Sequence, residues 1–160
     1  MSAEAVARAL EELGLPFERV DIDPAYADTA AFCEKYDYPL AQSCNTIIVA
    51  SKKEPKTFAA CSVLATRRLD VNKRVRKLMG VSRLSFASAE EMKTLTGMEV
   101  GGVTPPALPA DLKLYVDDAI MNCEWIIIGS GDRAAKIKIA PALFERLPNA
   151  EIISELANPL

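Results

Sequence analysis

The apolar residues of this chain recur with helical spacing in several short segments. Val6, Leu10 and Leu13 fall at i, i+4 and i+7, which predicts a first helix. Ser2 is placed to cap this helix and Gly14 to end it. Cap and stop residues predict the other helices in the same way. The second helix runs from residue 28 or 29 to before Pro39, and the third from Asp70 to Gly80. The fourth runs from a capping box at Ser88 to residue 96, and the fifth from Pro141 to residue 147.

Strand-like patterns separate these helices. Residues 44–50 and 57–63 are mostly apolar on either side of a polar turn, which predicts a hairpin. Residues 135–139 alternate strictly between apolar residues and lysine, which predicts a half-exposed strand. The other predicted strands cover 17–22, 83–86, 112–116, 125–128 and 150–160. The interspersed strands and helices predict an α+β fold: a single domain over residues 1–160, with a mixed, mostly antiparallel curved sheet and flanking helices.

The composition is that of an ordinary globular protein. The chain has 160 residues, of which 50% are hydrophobic and 26% charged. Its net charge of −3 argues against a general nucleic-acid-binding surface but leaves local basic patches open. The four cysteines have no CxxC spacing, so we expect reduced thiols and a cytoplasmic location. Because no apolar run reaches the length of a membrane span and no signal peptide is recognisable, we expect no membrane contact.

The absence of histidine restricts the chemistry that this chain can perform. With no histidine, it cannot form the Ser–His or Cys–His pairs of covalent hydrolases. Most zinc sites also use histidine, and we expect neither a metal site nor another cofactor. Without an activating base, Cys44 is expected to be a core residue. Any catalysis would rest on positioning, backbone dipoles, carboxylates, lysine or groups of the substrate itself.

Glycine and proline are concentrated in residues 96–109. Gly101 and Gly102 have no Cβ, so the backbone can approach a bound group closely, while Pro105 stiffens the far side of the loop. The N–H groups from Gly101 to Thr104 are therefore candidates for holding a carbonyl or carboxylate oxygen. From the glycines alone, a plain surface loop is the commoner explanation.

Four segments support a function for this loop through their order along the chain. They are SCNTIIVAS, which contains Asn45 and Thr46, a glycine-x-x-x-proline loop at 101–105, a strand ending in aspartate at 115–117, and an apolar strand entering a glycine turn at 128–131. Over roughly residues 23–157, this succession resembles the YbaK/ProX family, the editing domains associated with prolyl-tRNA synthetase.

The resemblance implies hydrolysis of the ester that joins a wrong amino acid to the 3′ end of tRNA. It implies that the enzyme supplies no covalent nucleophile. Instead, loop N–H groups hold the carbonyl, and the terminal ribose hydroxyl of the substrate helps to position water. The catalytic candidates are Asn45, Gly101, Gly102, Val103, Thr104 and Pro105, and the substrate-binding candidates are Thr46, Asp117, Gly129, Ser130 and Gly131. For two of these assignments an alternative stays open. Asp117 is equally able to cap the following turn instead of binding substrate. Residues 129–131 are equally able to form a tight strand connection with no contact to substrate.

Asn45 is a departure from the family pattern, which the resemblance predicts to have lysine at this position. Asparagine can hydrogen-bond a carbonyl or ribose oxygen, but it cannot neutralise a charge. Two functions are therefore open. The first is a trans-editing deacylase, and the alternative is a non-catalytic homologue that binds tRNA, a synthetase or an amino-acid-like ligand.

A basic segment precedes the loop. Six of the nineteen basic residues fall between 67 and 77. Contact with tRNA phosphates and a solvated helix face explain such a cluster about equally well. The tRNA-contact candidates are Arg67, Arg68, Lys73, Arg74 and Lys77. The expected partner is an aminoacyl-tRNA, with an aminoacyl-tRNA synthetase as a second candidate.

Overall fold

The computed structural model describes residues 3–160, so the predicted cap at Ser2 lies outside the described residues. The capping box at Ser88 is confirmed, because Ser88 Oγ accepts the Glu91 amide and the Glu91 carboxylate accepts the Ser88 amide, both at 3.0 Å. Asp70 caps a π-helical turn, Val71–Val75, that leads into a short α-helix. The α-helices are α1 (Ala3–Glu12), α2 (Thr29–Tyr36), α3 (Arg76–Met79) and α4 (Ala89–Thr96).

The strands fall close to the apolar and alternating segments of the sequence, except for β4, which was not predicted. They are β1 (Phe17–Asp21), β2 (Cys44–Ser51), β3 (Phe58–Leu64), β4 (Arg67–Leu69), β5 (Leu84–Phe86), β6 (Leu114–Asp117), β7 (Ile126–Gly129), β8 (Ala135–Ile139), β9 (Ala150–Ile153) and β10 (Ala157–Pro159). The predicted hairpin is confirmed, since β2 and β3 pair antiparallel with Asn45 opposite Val63.

These strands form three sheets in the described part of the chain. The largest has the order β5-β2-β3-β6-β9, the second has the order β1-β8-β7, and β4 pairs with β10. The pairs β3–β6 and β6–β9 are parallel and the other pairs are antiparallel. The α+β fold with mixed, mostly antiparallel pairing is thus confirmed, although three sheets replace the predicted one.

Both faces of the five-stranded sheet are covered. Side chains alternate along β2, so Ile48 packs in one cluster with Val6 of α1, while Val49 packs in another with Val75 of the π-helical turn. A third cluster joins Phe32 of α2 to Ile127 of β7. The two larger sheets and α2 therefore pack together near the place where β2 approaches β7.

Two local predictions were wrong, and the predicted helix at Pro141 is present as a tighter type. Residues 150–160 form two strands in different sheets, because the chain turns at Glu155, whose φ is 56°. The segment Pro141–Arg146 is a 3-10 helix, and its buried Pro141 and Phe144 are three residues apart, the period of that tighter helix. The strand 135–139 is not half exposed, since Lys136 is only 6% exposed in the middle strand of its sheet.

None of the helices within residues 3–160 is long and apolar enough to cross a membrane.

Candidate active site

A cavity of about 440 Å³ opens where β2 separates from β7. At one end of this edge, Ser43 forms a bridge to Ile127 of β7, and at the other end Val49 pairs with Phe86 of β5. Between these contacts, residues 44–48 line the cavity. The opposite wall comes from β7, β8 and the loop after α4, so the cavity lies between the two larger sheets.

Asn45 lines this cavity together with Thr29, the first residue of α2. Thr29 Oγ1 donates to Asn45 Oδ1 at 2.5 Å, which fixes the orientation of the amide. Within residues 3–160, Asn45 Nδ2 has no hydrogen-bond partner. The site therefore presents an oriented amide group with two N–H donors free for a ligand.

Thr46 contributes its backbone to the cavity. Its hydroxyl is already hydrogen-bonded to Ser62 of β3 at 2.8 Å. Ile48, two residues further on, accepts the Ala87 amide through its carbonyl on the β5 side of the strand. Because backbone groups alternate sides along a strand, the N–H and C=O of Thr46 point to that same side, which is the open edge.

Three carbonyls of the loop after α4 accept hydrogen bonds from β8 and from the turn that precedes it. Arg133 Nη1 donates to the Val100 carbonyl at 2.9 Å, and Lys136 Nζ donates to the Gly101 carbonyl at 2.9 Å. The Gly102 carbonyl accepts the Gly131 amide at 2.5 Å. In a trans peptide the C=O and N–H point in opposite directions. These three contacts therefore set the directions of the following N–H groups.

Two of the four candidate loop amides are already in use. The Gly102 amide donates to the Glu99 carbonyl at 2.9 Å, and the Thr104 amide donates to Met98 Sδ at 3.5 Å. In the described part of the chain, the amides of Gly101 and Val103 donate to no other group. Gly101 and Val103 line the cavity, whereas Gly102, Thr104 and Pro105 do not. The donors available to a ligand are thus those of Gly101 and Val103.

Close backbone contacts fix the position of this loop. A Cβ on Gly102 would lie 2.8 Å from the backbone N and C of Asp132, and a Cβ on Gly129 would lie 2.6 Å from the Val103 carbonyl. Both positions therefore require glycine, because the neighbouring atoms belong to the backbone and cannot move aside. Gly129 lines the cavity as well.

Three of the predicted substrate-binding residues lie away from the cavity lining. Asp117 is fully buried and pairs with Arg67 at 2.9 Å, while its other oxygen accepts the Ala157 amide at 3.3 Å. Ser130 Oγ donates to the Ala135 carbonyl at 2.8 Å, which ties β7 to β8. Gly131 supports the loop through Gly102. Their observed contacts are those of scaffold residues.

Cys44 lines the cavity but is a poor nucleophile. Burial raises the pKa of its thiol to about 12, although a hydrogen bond to Ser62 acts in the opposite direction. A thiolate is the reactive form of cysteine, and it is disfavoured here.

Lys136 is a cavity residue that the sequence pattern did not indicate. It lies on β8, with Nζ 5.7 Å from the centre of the Phe32 ring. Burial, together with nearby Arg133, lowers the pKa of its ammonium, while Asp28 and Cys33 act in the opposite direction. Strand alternation predicts that Lys136 and Lys138 lie on the same face of β8. It does not predict that α2 covers Lys136.

The basic segment divides into paired and free side chains. Arg67 is bound to Asp117 and to the Ala157 carbonyl, and Arg74 donates to the Ser154 carbonyl at 3.3 Å. Arg68, Lys73 and Lys77 are exposed and form no ion pair with any described residue. These three residues are the ones available for an anionic partner.

A sequence model of the aminoacyl-tRNA editing domain family matches residues 23–147 of the chain. The matched range contains β2, the loop after α4 and β8, which together supply the cavity walls described above.

Solved structures with the same fold are similar along the whole length of the chain. A candidate trans-editing enzyme for prolyl tRNA synthetase superposes with a TM-score of 0.81 at 21% identity, over 100% of this chain and 99% of that one. The hypothetical protein APE2540 gives 0.81 at 23% identity, over 94% and 97%. A candidate signal transduction protein from Marinobacter aquaeolei VT8 gives 0.62 at 16% identity, over 94% of this chain and 30% of that one. Similarity at these identities establishes the fold.

Proposed function

This chain belongs to the aminoacyl-tRNA editing domain family, and on that premise we propose that it is a cytoplasmic trans-editing deacylase. Its substrate is a mischarged aminoacyl-tRNA, and it hydrolyses the ester between the amino acid and the terminal ribose. The observation that supports this proposal is that Asn45, Gly101 and Val103 line one cavity, while Asn45 Nδ2 and the amides of Gly101 and Val103 have no hydrogen-bond partner among the described residues. An aminoacyl-tRNA synthetase that releases the mischarged tRNA is the second partner that this function implies.

The proposed reaction needs hydrogen-bond donors to the carbonyl oxygen of the ester. It also needs an ordered water molecule. Water attacks the ester carbonyl carbon, the bond from that carbon to the ribose oxygen breaks, and the ribose oxygen takes up the proton that water loses. The carbonyl oxygen gains negative charge on the way, and preorganised N–H donors stabilise it, each hydrogen bond to a charged group contributing about 1.5–3 kcal/mol. An adjacent ribose hydroxyl of the substrate orients the water, so no histidine or thiolate is required.

The volume of the cavity agrees with this substrate. About 440 Å³ lies within the roughly 300–1,000 Å³ range of small-molecule sites. It accommodates an aminoacyl group with part of the terminal ribose, and the rest of the tRNA stays outside.

The test of the proposal is a panel of tRNAs, each charged with a cognate or a non-cognate amino acid. The protein is expected to release at least one small or medium non-cognate amino acid faster than buffer does, and to spare the cognate one. Buffer-level release from every member of the panel would contradict the deacylase proposal and leave the binding alternative.

Replacing Asn45 separates the two functions. For a deacylase, we expect Asn45→Ala to lower kcat/KM about tenfold to a hundredfold, since it removes one oriented donor to the carbonyl oxygen. Asn158, which is exposed on β10, provides a matched Asn→Ala control that should stay at the wild-type rate. Asn45→Lys gives the complementary result: activity that appears only in this variant would identify the native protein as a binder.

The free basic side chains test the tRNA contact. We expect Lys73→Ala and Lys77→Ala each to raise KM for charged tRNA and to reduce the slope of log affinity against log salt by about one unit. With a short aminoacyl-adenosine substrate, both variants should match the wild type. Arg8→Ala, which removes an exposed cation from α1, is the control. An equal loss on the short substrate would assign the effect to the fold rather than to phosphate contacts.

A further inference from the structure

Lys136 carries a charge that the protein itself does not neutralise. The residue is 6% exposed, and its Nζ donates to the Gly101 carbonyl at 2.9 Å. Among residues 3–160, Lys136 forms no ion pair with a carboxylate, and nearby Asp28 is paired with Arg133 at 3.2 Å. Since an ammonium has three N–H donors, two remain beyond the bond to Gly101. A buried cation with free donors favours an oxygen that carries or develops negative charge.

Lys136 lies directly beside the loop that carries the free amides. Lys136 lines the cavity, and the carbonyl that it holds belongs to Gly101, whose own amide is one of the two free donors. A ligand oxygen at the Gly101 amide would therefore be next to the residue whose carbonyl Lys136 binds. Asn45 supplies a neutral donor from the opposite wall.

We propose that Lys136 is a catalytic residue, which binds the ester carbonyl oxygen and stabilises its negative charge during hydrolysis. This inference rests on the proposed function. Lys136 on β8 would thus supply the positive charge that is missing on β2, where Asn45 stands in place of the family lysine. Lys136 keeps its proton throughout: water forms the new bond to carbon, the ribose oxygen leaves with the proton from water, and the ammonium only donates hydrogen bonds.

The first test compares two lysines on the same strand. Lys136→Met is expected to lower kcat about tenfold to a hundredfold with less change in KM, because the interaction strengthens as the oxygen gains charge. Lys138→Met is the matched control, since Lys138 lies two residues along β8, outside the cavity lining, over the Trp125 ring. Because an unpaired buried ammonium is costly to desolvate, its exchange for an apolar side chain of similar volume should leave the protein folded. A kcat for Lys136→Met close to wild type, or an equal loss in Lys138→Met, would overturn the assignment.

The second test uses the pH profile of the wild-type enzyme, which needs no variant. The charged and titratable groups around Lys136 are Arg133, Asp28 and Cys33, and burial lowers the pKa of the ammonium. The cation is present below that pKa and is lost above it. After subtraction of uncatalysed hydrolysis, kcat should therefore fall at alkaline pH, before an ordinary lysine would titrate. A profile without that fall would contradict a charged role for Lys136.

A third measurement separates this inference from the proposed function. The probe is 3′-deoxy-3′-(alanylamino)adenosine, an amide that resists hydrolysis, with ¹³C at its carbonyl. Binding should shift the carbonyl resonance downfield, and Lys136→Met should remove most of that shift while Lys138→Met leaves it. If the wild type deacylates no tRNA but this pattern holds, the deacylase proposal fails and Lys136 remains the carbonyl ligand of a binder. If deacylation is observed and the shift is unchanged in Lys136→Met, the function stands and the role of Lys136 fails.

Discussion

Gly102→Ala is expected to lower kcat/KM for deacylation about a hundredfold, although Gly102 does not line the cavity. The added Cβ would lie 2.8 Å from backbone atoms of Asp132, so the loop has to move away from the β7–β8 turn. That movement displaces the amides of Gly101 and Val103, and a shift of about 1 Å in a catalytic group can cost about a hundredfold in rate. Steady-state kinetics on charged tRNA measure this loss.

A second glycine controls for the cost to stability. Gly14→Ala places a Cβ at φ 70° after α1, near the flexible end of Arg146 and away from the cavity. It should lower the free energy of unfolding by about 1–2 kcal/mol and leave the rate unchanged. Wild-type activity in Gly102→Ala would show that the loop position is not needed for catalysis.

Asp117→Ala is expected to have the largest effect on stability and little effect on the rate of the folded protein. Asp117 is fully buried, and its partner Arg67 is 24% exposed in its side chain. Removal of the carboxylate leaves a mostly buried guanidinium unpaired, which typically costs about 3–5 kcal/mol. The bond to the Ala157 amide, which secures β10, is lost as well. Urea unfolding measures the change in free energy.

The neighbouring Asp118 is exposed, so Asp118→Ala should change the free energy of unfolding by no more than about 0.5 kcal/mol. A double-mutant cycle with Arg67→Ala gives the share of the loss that belongs to the pair. If Asp117→Ala stayed stable but lost deacylation, Asp117 would be a substrate ligand, as the family resemblance implies.

The features that the sequence predicted well are encoded in neighbouring residues. The capping box at Ser88 and the hairpin of β2 and β3 depend on residues close together in the chain, and both are present. The family resemblance was equally accessible, because it rests on the order of short motifs. It selected Asn45 and the 101–105 loop, and Asn45, Gly101 and Val103 line one cavity.

The features that the sequence missed depend on distant segments. Asp117 pairs with an arginine fifty residues earlier in the chain, and no local pattern distinguishes that contact from a ligand role. Lys136 looks solvent-exposed in an alternating strand, but α2 covers it with Phe32. The division of the loop amides into used and free donors depends on bonds to Glu99 and Met98 that only the folded backbone reveals.

Whether the loop amides bind the substrate carbonyl is measured most directly by a ¹⁵N amide NMR titration. The full chain is titrated with the amide-linked alanyl-adenosine analogue. We predict that the amide protons of Gly101 and Val103 move downfield on binding, because each gains a carbonyl acceptor. The amides of Gly102 and Thr104, already bonded within the protein, should move little. Binding that leaves the Gly101 and Val103 resonances in place would contradict the proposal that these two amides hold the substrate carbonyl.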